Sequence, residues 1–133
     1  MSDEGAVRTL HPHLAPSERL ALVARGGELF ARGEFFAAHE AWEEIWRSND
    51  PAPRELFQAL VQMAAAFHHL RVRGRRDVAR RVLGKARARL LRVAAHGAPL
   101  DIAALDADLA RWERWLIDAR GEAPPLPVPR WLV

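Results

Sequence analysis

Residues 56 to 70 read LFQALVQMAAAFHHL, a stretch with no Asp, Glu, Lys or Arg in a chain where 28% of residues are charged. At about 100° per residue its apolar side chains go nearly all the way round a helix. Such a helix must be buried, so the remaining segments must supply helices that cover it. One polar wedge interrupts the pattern, because Gln58, Gln62 and His69 project within about 40° of one another. Polar groups on a buried helix need partners. The preceding helix offers them through His39 and Glu43.

The flanking segments fit that demand. Ser17 reads as an N-cap for a first helix running to about Arg32, with Leu20, Val23, Leu29 and Phe30 as its apolar residues. Gly26-Gly27 weakens its middle. Gly33 sits where a left-handed cap closes a tight αα-hairpin. In the second helix, Glu34 to Arg47, the residues Ile45, Ala38, Trp42, Phe35, Trp46, His39, Glu43 and Phe36 fall in one continuous arc. Glu40, Glu44 and Arg47 lie outside it, and Trp42 and Trp46 are expected in the core. Residues 48 to 53 read as a loop.

A fourth helix, about Arg76 to Ala95, is expected to bury Val78 or Ala79, Val82, Ala86, Leu90 and Val93 before Gly97 and Pro99 stop it. The fifth, about Asp101 to Arg120, carries a core stripe of Ile102, Leu105, Leu109, Trp112 and Leu116. Gly33, Ala38 and Trp42 are echoed 41 residues later by Gly74, Ala79 and Leu83, each set opening the second helix of a hairpin.

The expectation is an all-α fold, a single compact bundle of about five helices built from αα-hairpins. Residues 16–120 would form it, with residues 1–15 as a mobile arm and residues 121–133 as a Pro-rich tail favouring an extended polyproline form. Length and 50% hydrophobic content suffice for one core. No apolar run reaches the roughly 18 to 20 residues that cross a bilayer, and the acidic start MSDEGAVRTL is unlike a secretory signal. A cytoplasmic protein with no membrane partner is expected. Without cysteine, a metal would be held by His and carboxylate.

At HEAWEEIW, residues 39 to 46, the chain resembles an uncharacterised bacterial and archaeal family, the domain of unknown function catalogued as number 309. Its pattern is HxxxExx followed by Trp or Tyr, here His39, Glu43 and Trp46. LFARGEFFAA before it and LFQALVQMAAAFHHLRVRG after it are similar to the family pattern too, with Ala59 as the small residue after the first Gln of the central helix. The similarity spans about Leu29 to Leu91. His69 matches a family position, whereas His68 stands where an aromatic is commoner. The resemblance implies a metal-binding role for the motif and, from the label some members carry, a hydrolase-like activity without a named substrate.

On a helix, residues four apart stack one turn from each other and can converge on one point. His39 and Glu43 could therefore form half of a metal site, with His69 as a candidate third ligand, Gln58, Gln62 and Trp46 in support, and Glu43 as the candidate catalytic group. Zinc, manganese or iron would accept these ligands. Two readings stand beside it. In one, the His/Glu/Gln cluster is a structural polar network inside a helical-hairpin interaction module. In the other it is a metal-free acid-base pair.

Charge adds a further candidate. Nineteen arginines accompany one lysine, and Arg71 to Arg92 holds ten basic residues against Asp77 alone, a net of +9 where the rest of the chain has −6. This helix could bind nucleic-acid phosphates. A solvated face is the preferred reading, since no nucleic-acid motif or interleaved aromatic accompanies the charge. Trp131, Leu132 and Val133 could dock on the bundle or on a second subunit, which leaves a homo-oligomer open.

Overall fold

The computed structural model describes residues 15–48, 54–95, 99–118 and 120–131. Residues 1–14, 49–53, 96–98, 119 and 132–133 lie outside them, and with them most of the expected N-terminal arm, most of the expected loop, and Gly97. Among the described residues five helices form the bundle: α1 Pro16–Ala31, α2 Phe35–Trp46, α3 Arg54–Arg73, α4 Arg76–Ala94 and α5 Ile102–Asp118. The all-α expectation holds. α3 packs against both α2 and α4, while α1 covers α2 and α5 covers α4.

α3 is central for the reason its sequence gives. Leu56, Phe57, Ala59, Leu60, Met63, Ala64, Ala66 and Phe67 are all buried. Around Phe67 the core is aromatic, with Phe30 and Trp112 edge-on to it at ring-centre distances of 5.4 and 4.9 Å. Edge-to-face pairs of this kind stabilise beyond the area they bury.

The first helix begins differently from the sequence expectation. Ala15, not Ser17, is the N-cap, because Pro16 at the first helical position has the fixed φ a helix start requires. The Glu18 carboxylate accepts the Ala15 N–H at 2.8 Å. Gly26-Gly27 does not interrupt the helix, since Gly26 is buried against the Trp42 indole. Leu20 is 70% exposed, pointing away from the face of α1 that buries Gly26, Leu29 and Phe30.

Both hairpins close as expected. Gly33 has φ +82°, the Gly33 N–H bonds to the Phe30 carbonyl and the Glu34 N–H to the Leu29 carbonyl, each at 2.9 Å. That is a Schellman ending, which favours glycine at the left-handed residue. Arg71 secures it from α3, donating to the Gly33 carbonyl at 2.5 Å. Gly74, φ +62°, ends α3 with the simpler left-handed cap, its N–H bonding to the Leu70 carbonyl at 2.9 Å. The 41-residue echo also holds in packing, with Ala38 and Ala79, and Trp42 and Leu83, all buried.

In α4 the buried set is Ala79, Leu83, Ala86, Leu90 and Val93. Leu83 takes the place expected for Val82, which is only partly buried, because the arc facing the core is centred closer to Leu83 and Leu90. The α5 stripe is buried as read. Arg87 fixes α4 to α5, forking onto Asp106 at 2.7 and 3.1 Å and reaching Glu113 at 2.5 Å.

The tail docks on its own bundle. Leu100 and Trp131 form an isolated antiparallel bridge, and the Asp101 N–H bonds to the Arg130 carbonyl at 2.8 Å. Trp112 Nε1 donates to the Pro125 carbonyl at 2.8 Å, Pro127 is fully buried, and Trp131 stacks on Phe57. Among the described residues no helix is long and apolar enough to cross a membrane.

Candidate functional site

His39 and Glu43 lie one turn apart on α2, where helical geometry stacks them. His39 Nδ1 is 3.9 Å from Glu43 Oε1, beyond hydrogen-bond distance. The pair is not sealed in the core. The His39 side chain is 24% exposed and that of Glu43 30%, so the carboxylate avoids the full cost of burial that an inward position implied. The reason is its place at the end of the inner arc beside Phe36, which is 53% exposed.

The rings around the pair form a short stack. Phe36 lies on the His39 imidazole with ring centres 5.7 Å apart and planes 14° apart. His68 meets the same phenyl ring at 5.5 Å. The α3 histidine sharing an aromatic neighbour with His39 is therefore His68. No hydrogen bond or ring contact among the described residues joins His69 to His39 or Glu43.

Among the described residues three side-chain atoms are buried without a hydrogen-bond partner: Nδ1 of His39, Nδ1 of His69 and Nε1 of Trp42. The two imidazole nitrogens can accept or donate depending on tautomer. A neutral imidazole nitrogen and a carboxylate oxygen are suitable ligands for a borderline divalent cation. In donor chemistry and placement on one helix face, His39 and Glu43 fit two positions of a metal site. Among the described residues no group of three or more His, Asp or Glu side chains is placed to hold an ion together.

The expected supports are elsewhere. Gln62 accepts a hydrogen bond from Arg89 Nε at 3.0 Å, and the same guanidinium pairs with Glu55 at 3.0 Å, so Gln62 serves the α3–α4 seam. The angular position of Arg89 on α4, turned towards α3, is the sequence signal for that contact. Gln58 is half-buried with no side-chain hydrogen bond among the described residues. Trp46 is half-buried beneath the Arg54 guanidinium, 5.4 Å from its ring centre. Phe36 and His68 are the neighbours that the motif did not point to, although Phe36 lies three residues before His39 on the same face.

Comparison with known proteins adds one match. A family model described as a domain of unknown function (DUF309) matches residues 23–82, from the middle of α1 into α4. Neither the curated proteins nor the solved structures give a match.

Proposed function

Residues 23–82 are a domain of this uncharacterised family, and from that premise we propose that His39 and Glu43 bind a divalent metal ion, zinc, manganese or iron, in a hydrolase-like site. The observation that supports this reading is the unpartnered state of two buried imidazole nitrogens, on His39 and His69. A network serving only to join α2 to α3 would satisfy those atoms. His39 and Glu43 would hold the ion from one helix face; His69 of α3 would become a third donor only by turning its ring to the pair, since no three such groups stand together among the described residues. A metal held in this way lowers the pKa of a bound water or polarises a carbonyl. The partial exposure of the pair leaves an open side for water and substrate.

Elemental analysis of untagged protein, paired with melting curves after chelation and after adding zinc, manganese or iron, tests it. Binding to the native state alone adds about 2.7 kcal/mol at a free-metal concentration of 100 Kd. Near-stoichiometric metal and a raised melting temperature are expected, both lost in a His39→Ala, Glu43→Ala variant that keeps its helicity. No metal and no shift would overturn the site. The second reading, a helical-hairpin interaction module with the pair as scaffolding, draws on the lack of three grouped ligands among the described residues.

A further inference from the structure

The arginines of α4 divide by direction. Arg76 donates to the Leu116 carbonyl and Arg87 to Asp106 and Glu113, both towards α5, while Arg89 turns to Gln62 and Glu55 on α3. These three hold helices together. The outward arc carries Arg80, Arg81 and Lys85, all exposed and without an ion pair among the described residues, then Arg92, which is 60% exposed at 3.6 Å from Glu55. Arg73 and Arg75, exposed and unpaired, continue the charge at the α3–α4 turn. Asp77 is the only acidic residue from Arg71 to Arg92.

A surface kept basic for solubility alone intersperses both signs. Here Arg81 and Lys85, one turn apart, repel each other with no carboxylate paired to either, although the chain outside Arg71–Arg92 has an excess of acidic residues. We infer that the outward face of α4 binds the phosphate backbone of duplex nucleic acid. Arg80 to Arg92 spans about 18 Å of helix axis, over which each strand of a duplex presents about five phosphates at about 3.4 Å of axis apiece, so the four basic side chains have phosphates within reach. Guanidinium groups suit this partner because they meet phosphate with two parallel donors.

The rest of the arc narrows the partner. It presents no aromatic on which an unpaired base would stack, which favours a duplex over a single strand. Its one large apolar side chain is Leu91, so it lacks the apolar face with which a basic helix enters a lipid surface. Binding is to the backbone, without sequence readout.

Fluorescence anisotropy with a labelled mixed-sequence 20-base-pair DNA duplex, titrated with the full chain between 50 and 200 mM NaCl, tests the proposal. Four phosphate contacts give a slope of log Kobs against log salt of about −3.6. Replacing Arg80→Gln, Arg81→Gln and Lys85→Gln together should reduce it to about −0.9, since each phosphate contact contributes about one. These side chains are exposed and make no hydrogen bond or ion pair among the described residues, so the variant should melt as the wild type does. A control triple of Arg25→Gln, Arg47→Gln and Arg114→Gln removes the same charge from exposed sites elsewhere and should keep most of the slope. No binding at 50 mM salt, a slope near zero, or equal losses in both triples would overturn the proposal. So would binding to phosphatidylserine vesicles in place of the duplex.

Discussion

The Trp42 indole occupies the space beside Gly26 that a side-chain methyl group would need. Gly27, the next residue, has nothing within 4 Å of that position. Adjacent Gly→Ala substitutions in one helix should therefore act in opposite directions. Gly27→Ala removes glycine's backbone freedom in the unfolded chain and should stabilise by about 0.5–1 kcal/mol. Gly26→Ala makes the same gain but overpacks the α1–α2 contact, a cost of about 1–3 kcal/mol, so it should destabilise. Urea unfolding midpoints of the two variants check this, and midpoints moving the same way would contradict it.

Arg87 bridges two carboxylates of α5, and all three side chains are between a fifth and a third exposed. The Asp106 and Glu113 hydrogen bonds raise its pKa above arginine's ordinary value. A raised pKa contributes stability that is fully present below the unfolded value and is lost only as pH rises through the folded one. For an arginine that window is strongly alkaline. Arg87→Met should therefore cost about 1–3 kcal/mol, towards the low end because water reaches the site, and the difference should be the same at pH 6 and pH 9. Urea melts at both pH values check it; a difference that shrinks by pH 9 would contradict it.

Where the sequence carried a period, the fold was legible. The broad apolar arc of α3, broken only by its polar wedge, and the three-and-four spacing of Ile102 to Leu116 required burial, and both are buried. Positive-φ glycines marked both hairpins. Charged contacts between helices were less legible, since they depend on how two helices are rotated against each other. Gln62 read as part of a site wedge until Arg89, 27 residues away, took it into the α3–α4 seam. His68 in place of His69 beside Phe36 has the same origin: two adjacent residues differ by about 100° on a helix, and packing decides which meets a given ring.

The tail should contribute to stability, because Trp131 both stacks on Phe57 at 6.0 Å and bridges to Leu100. Trp131 is only partly buried, so Trp131→Ala should cost about 1.5–3 kcal/mol, below the value for a fully buried tryptophan. Phe57→Leu keeps the core filled while removing the ring and should lose a smaller part of that stability. Double-mutant analysis of the pair by thermal unfolding checks the contact. Strict additivity would show that Trp131 acts through something other than Phe57.

Stability measured one substitution at a time separates a ligand pair from scaffolding at His39 and Glu43. With 3.9 Å between Nδ1 and Oε1 and about a quarter of each side chain open to water, the pair has little mutual energy in the absence of a ligand. His39→Asn and Glu43→Gln should each cost under about 1 kcal/mol in the chelated protein. In the presence of metal the same substitutions should cost more, because each removes part of the binding energy that the wild-type native state gains. If instead the two residues are scaffolding, the loss is large in chelator and metal changes nothing. Thermal unfolding of the wild type and both variants, with chelator and with added zinc, reads the difference directly.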